Sequence, residues 1–217
     1  LPINNSDLEY DKLNDTLNLK GADYKLKLTE ASSGFQSLVP LYIVSEYLAN
    51  SVKKQSDSKE PMSSEELLRF RKGFEEIWNN TDMTDEQKRA AISVLSSKFN
   101  KTAFINIVEE PEQNLYPNSQ WEMLKSLLQF NNITPSNKLI LTTHSPYIIN
   151  YMNIAIYASE ILKKCNSDNN LVQVLNEIIP VFSLINSENA VAYELDEISG
   201  GIKKLSTYEG IFSDKNF

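Results

Sequence analysis

Phe104-Ile-Asn-Ile-Val-Glu109-Glu110-Pro111-Glu112 ends a short β-branched run in two adjacent carboxylates. Ala103–Val108 is apolar and bounded by polar residues, the pattern of a buried strand. Glu109 and Glu110 would then stand at its carboxyl end. Magnesium-dependent phosphate chemistry needs oxygen ligands there, and a group that orients or deprotonates the attacking water. Successive strand side chains face opposite ways, so one carboxylate can serve a metal shell while the other faces the water once the chain turns into its loop. Taken alone, a Glu-Glu pair is more often a solvated surface feature.

Working outward, Ser119 to Phe130 reads as a helix, with Ser119 and Glu122 spaced as a capping box and Trp121, Leu124, Leu127 and Leu128 on its apolar face. Lys138-Leu-Ile-Leu-Thr142 is a second buried strand. Strand, helix, strand in this order is a right-handed parallel crossover, which brings chemistry to the carboxyl ends of the strands. His144 follows the second strand, and Pro146 can take the first helical position after Ser145. Taken alone, this single histidine is more often a packed, hydrogen-bonded imidazole. A further helix is expected over 170–178. Ala190–Leu195 and Ile202–Leu205 flank Ser-Gly-Gly as a peripheral antiparallel hairpin.

Upstream, Tyr24–Thr29 alternates polar and apolar residues as a half-exposed strand does. Ser33 to about Asn50 reads as a helix with Ser33 and Gln36 as its capping box. Pro40 lacks the amide that would bond to residue 36, so this helix should begin late or bend there. Residues 51–62 are polar and rich in turn formers, which predicts a mobile loop. Two capped helices follow, from Ser63 with Glu66 and from Thr84 with Gln87. Together 51–100 read as a helical insertion whose aromatics serve packing.

A chain of 217 residues can bury one sizeable core, as one domain or one lobe with insertions. Its net charge of −8 favours solubility and argues against nonspecific nucleic-acid binding. Cys165 is the sole cysteine and His144 the sole histidine, which excludes an internal disulfide and cysteine or histidine metal clusters; Cys165 is expected to be packed. No apolar run of membrane-spanning length occurs, and the first residues lack the pattern of a signal peptide. Six glycines stand at 21, 34, 73, 200, 201 and 210, and none belongs to a G-x-x-x-x-G-K-[ST] phosphate loop.

Phe104–Pro117 resembles the Walker B segment of bacterial ATPases related to SMC, Rad50 and OLD proteins, in the Glu-Glu-Pro-Glu form. The resemblance implies that Glu109 supports magnesium through its water shell and that Glu110 is the catalytic carboxylate. Glu112 and Asn114 match the start of the family's D-loop. His144, after Leu-Ile-Leu-Thr-Thr and before Ser-Pro, resembles the switch histidine of the H-loop, near the γ-phosphate and the attacking water. Ala31-Ser32-Ser33-Gly34-Phe-Gln-Ser37 resembles a divergent ABC signature motif, in which Ser32, Ser33 and Gly34 bind nucleotide held by an opposing head. A helix N-terminus suits phosphate there; capping alone is the other reading of these serines. Ser33 and Phe35 depart from the usual Leu-Ser-Gly-Gly-Gln. About 75 positions separate Gly34 from Glu109, more than compact ABC ATPases require.

The fold implied is α/β: a partial P-loop NTPase with a parallel-sheet core, a helical signature segment and insertion, and a peripheral C-terminal hairpin. Residues 1–217 would form the C-terminal lobe of the head. ATP and magnesium are the implied cofactors. The implied partners are an N-terminal Walker A lobe, a second head in a homo-oligomeric pair, and DNA or an effector protein through the full molecule, with no membrane and a cytoplasmic location. The activity implied is ATP hydrolysis by the full protein, with this lobe inactive alone. A noncatalytic, nucleotide-gated interaction scaffold is the alternative.

Overall fold

The computed structural model describes residues 1–58, 62–99, 102–164, 169–208 and 210–212. An antiparallel meander opens the chain: β1 (Asp7–Asp11), β2 (Thr16–Lys20) and β3 (Lys25–Lys27). The long helix α1 (Ser33–Ser58) follows, then the pair α2 (Ser64–Trp78) and α3 (Asp85–Lys98). The central unit is β4 (Ile105–Glu109), α4 (Pro117–Asn132) and β5 (Lys138–Thr142), with β4 and β5 parallel and registered from Ile105–Lys138 to Glu109–Thr142. α5 (Pro146–Lys164) and α6 (Asn169–Ile178) complete the helical layer. β6 (Tyr193–Leu195) pairs antiparallel with β7 (Ile202–Lys204), and β8 (Thr207–Tyr208) with β9 (Ile211–Phe212).

Helix α4 is buried on two faces, and each face builds one core. Met123 and Leu127 pack with Val108 of β4 and with Leu38 and Val39 of α1. Leu124 and Leu128 pack with Ala155 and Ala158 of α5 and with Leu175 and Ile179 at α6. Leu139 and Leu141 of β5 touch both cores. Truncating buried Leu38, Leu124, Leu127 or Leu128 would cost about 2–5 kcal/mol. Strand alternation turns Ile105, Ile107 and Ile140 to the other face, where they are exposed.

Polar contacts fix where the strands begin. The side-chain amide of Asn137 donates to Phe130 O at 3.2 Å, and its oxygen accepts from Phe104 N at 2.8 Å. Lys138 N then donates to Phe104 O at 2.9 Å. On the buried face, Asn106 Nδ2 donates to Ser45 Oγ at 3.0 Å, which pins α1 across β4.

The structure corrects several local expectations. Ser33 is already helical, and Gln36 does not close a capping box with it; its amide donates to Thr29 O and Ala31 O, tying down the chain before the helix. α1 runs on through Pro40, so it does not begin late; Gln36 and Pro40 are both exposed, and water can reach the carbonyl left without an amide. The same helix continues over Ser51–Ser58, where a loop was expected, and residues 59–61 lie outside the described residues. The strand predicted over Tyr24–Thr29 shortens to Lys25–Lys27, because Leu28–Glu30 form a 3₁₀ turn. α4 starts at Pro117 instead of Ser119, with Tyr116 at the cap position, because a proline suits the first helical turn. Glu122 bonds Lys125 instead of capping.

Both predicted boxes of the helical pair are formed, by Ser63 with Glu66 and by Thr84 with Gln87. Phe70, Phe74, Trp78 and Phe99 stack or meet edge to face, so these aromatics pack on one another. Cys165 lies outside the described residues.

Replacing Asn137 with alanine leaves the Phe104 amide and the Phe130 carbonyl without this partner, and should lower stability by about 2 kcal/mol. Chemical denaturation checks this; a loss below about 0.5 kcal/mol would show that the strand starts are held by other contacts.

Candidate functional site

The site lies where the parallel pair ends. Glu109 is the last residue of β4, pairs across the ladder with Thr142, and is exposed on the same face as Ile105 and Ile107. Glu110 N continues the ladder by donating to Thr142 O at 2.9 Å. The chain then turns sharply: Glu110 has φ 45° and Asn114 φ 60°, both left-handed. A non-glycine residue in that region costs roughly 1–3 kcal/mol and persists only where its surroundings enforce it. The turn is closed by Gln113 N donating to Glu110 O and Leu115 N donating to Glu112 O. The two adjacent carboxylates thereby stand on different backbone: Glu109 on the strand, and Glu110 on the loop.

His144 ends the turn after β5. Its Nε2 lies 3.5 Å from Glu110 Oε1, with the imidazole side chain 85% exposed and the carboxylate 42% exposed. Solvent screens such an open pair, so it orients the two groups loosely and adds little stability. The main chain of the turn is held more firmly. Glu112 Oε1 accepts from Thr143 Oγ1 and from His144 N, both at 2.8 Å. Ser145 N donates to Thr143 Oγ1 at 3.0 Å, and Ser145 Oγ donates to Gln120 Oε1 at 2.7 Å.

Ser32, Ser33 and Gly34 stand apart from His144. Ser32 precedes α1, Ser33 and Gly34 begin it, and no hydrogen bond among the described residues joins either serine to His144. The turn meets the other side of the Glu110–Tyr116 loop. A Cβ on Gly34 would fall 2.8 Å from Asn114 O and 3.3 Å from Leu115 Cδ2, so glycine permits this close backbone approach. Asn114 Nδ2 donates to Ser37 Oγ at 3.3 Å. Between the start of α1 and the end of β4 lies an open cleft of about 250 Å³, lined by Ser37, Leu41, Ile107, Glu109, Glu110 and Gln113 among others.

The structure therefore brings Glu109, Glu110 and His144 to one edge and places Ser32–Gly34 beside the same loop, away from the histidine. Sequence reasoning missed Thr143, Gln120 and Ser145 as members of the network, and it placed Glu112 in the loop without a bonding role. Their partners lie 25 to 32 positions away, so no local spacing could have found them.

Residues 74–149, about a third of the chain, match the family model described as AAA ATPase domain. This span is a partial AAA-family ATPase domain, of the P-loop NTPase superfamily. It contains β4, α4, β5, Glu109, Glu110 and His144, and it begins downstream of Ser32–Gly34. No curated protein and no solved structure matches the chain. The mixed α/β architecture and the parallel β4–β5 pair are consistent with a P-loop NTPase-like core, and the matched domain with nucleotide binding of the ATPase class. No helix among the described residues is long and apolar enough to cross a membrane.

Gly34→Ala forces a methyl group against the Asn114 carbonyl. It should lower stability by about 1 kcal/mol despite alanine's preference for helix. Thermal unfolding reads the loss, and the amide shifts of Asn114 and Leu115 should move with it; an unchanged or raised Tm would show that the loop yields freely.

Proposed function

We propose that the chain is the C-terminal lobe of an ATP-hydrolysing head of the ABC/SMC type. One observation carries this reading: Glu109, Glu110 and His144 converge at the carboxyl end of a parallel strand pair, with the start of α1 on the far side of the intervening loop. Open α/β sheets bind ligands at that end. The Walker A loop would come from a further lobe of the protein, and the Ser32–Gly34 turn would face nucleotide held by a second head. Residues 51–100, the helical insertion of this reading, offer a surface for a partner. DNA or an effector protein, and a cytoplasmic location, belong to the same proposal.

The donor set fits magnesium bound with phosphate. Among the described residues no group of three or more His, Cys, Asp or Glu side chains could hold a metal by itself. Magnesium commonly binds through one or two carboxylates, completing its octahedron with waters and substrate phosphate oxygens, and exposed Glu109 matches that use. When bound, the ion would neutralise charge developing on the phosphate. Glu109 would hold the ion through its waters. Glu110 would orient the attacking water and accept its proton, its left-handed backbone carrying the carboxylate off the strand. His144, on the next strand end, would donate to a phosphate oxygen.

In the full protein, Glu110→Gln should keep ATP binding and lower single-turnover hydrolysis by roughly 10–1,000-fold. Glu109→Gln should instead weaken magnesium-dependent binding. Unchanged hydrolysis in Glu110→Gln would remove the catalytic assignment. His144→Ala should reduce phosphate release while circular dichroism stays that of the parent. Loss of helicity together with turnover would assign the histidine to folding instead.

The 217-residue chain alone should release phosphate far more slowly than the full protein under matched conditions, since its sequence contains no phosphate-cradling G-x-x-x-x-G-K-[ST] loop. Comparable turnover by the two would overturn the split-site reading.

A further inference from the structure

We propose that Glu112 is a positioning residue whose carboxylate latches the His144 turn to the loop that carries Glu110. The proposal deepens the ATPase reading and rests on it for its catalytic consequence. Its structural content stands on a closed set of contacts. Glu112 Oε1 receives two donors, Thr143 Oγ1 and His144 N, each at 2.8 Å. Thr143 Oγ1 in turn accepts from Ser145 N, and Ser145 Oγ donates to Gln120 Oε1. Gln120 Nε2 donates to Leu115 O at 3.0 Å, which returns the chain of bonds to the loop where it began. Two segments 31 and 32 positions apart are thereby made into one body.

The imidazole has no comparable anchor. Among the described residues its ion-pair partner is Glu110 Oε1 at 3.5 Å, beyond ordinary hydrogen-bond length, and the ring is largely exposed. Its place beside Glu110 follows from where the main chain holds its Cα, and Glu112 grips that main chain at the amide of His144 itself.

The other oxygen makes the assignment testable. Glu112 Oε2 is buried and accepts no hydrogen bond from the described residues. One oxygen does all the latching, so glutamine can supply the same acceptor while alanine cannot.

The experiment follows the His144 amide in protein labelled with ¹⁵N-histidine, with the resonance assigned by its loss in His144→Gln. Hydrogen exchange at this amide should accelerate by about tenfold or more in Glu112→Ala and stay within about threefold of the parent in Glu112→Gln. Should Glu112→Ala fail to fold, Thr143→Val carries the test: it removes one of the two donors to Oε1, and exchange at His144 should again accelerate. Unaltered exchange in a folded Glu112→Ala or Thr143→Val overturns the latch.

Activity of the full protein supplies the second readout. Glu112→Ala should lower single-turnover hydrolysis as His144→Ala does, the double variant should fall no further, and Glu112→Gln should recover most of the rate. A rate loss in His144→Ala that is absent from Glu112→Ala overturns the positioning role. If exchange responds to Glu112→Ala but neither His144→Ala nor Glu112→Ala changes hydrolysis, the latch is upheld and the ATPase reading of this site fails.

Discussion

The parallel hydrogen-bond ladder between β4 and β5 is the constraint on which the site depends. It runs in register from Ile105–Lys138 to Glu109–Thr142 and gains one further bond from Glu110 N to Thr142 O. That last bond places the start of the acidic loop against the start of the histidine turn. A slip of one residue would carry Val108 to the exposed face and Glu109 toward the core, because side chains alternate with a period of two. The ladder is registered at its other end by Asn137, so the two ends of each strand are defined independently of the ligand chemistry at the top.

Two strands cannot hold such a register alone, and α4 supplies what they lack. Met123 and Leu127 seal the β4 side against α1, while Leu124 and Leu128 seal the opposite side against α5 and α6. The crossover helix therefore joins two cores and holds α1 against the same strands. The start of α1 consequently meets the far side of the acidic loop, where the lack of a Cβ at Gly34 admits the Asn114 carbonyl. The loop is bound on one side at Asn114 and on the other at Glu112, while Glu110 N is held by Thr142 O, so the left-handed residues Glu110 and Asn114 sit at or beside these anchors.

Much of the architecture was legible because it rests on local signals. Short apolar runs, β-branched in the first, marked β4 and β5, the Ser63 and Thr84 boxes marked α2 and α3, and Pro146 marked the start of α5. The misses have a common cause. The Ser33 and Ser119 boxes have the right spacing, yet Gln36 and Glu122 found other partners, since a capping pattern does not say which residue will be the last outside the helix. β1 and β2 were not anticipated, although Asp-Leu-Glu-Tyr-Asp and Thr-Leu-Asn-Leu-Lys alternate polar and apolar residues as a half-exposed strand does. The polar stretch after Asn50 continued as helix, as Val52 is buried and anchors it.

The sequence by itself determined that two strands flank a helix, that carboxylates end the first and a histidine follows the second, and that a serine–glycine turn opens a long helix upstream. These follow from periodicity, breakers and residue chemistry within a few positions of one another. Only the tertiary structure decided that Ser32–Gly34 approaches Asn114 and has no bond to His144, and that Glu112 carries Thr143 and the His144 amide. Those relations join residues from about 30 to about 80 positions apart. They depend on how the parallel register and the two faces of α4 bring distant loops together, and no local pattern encodes that distance.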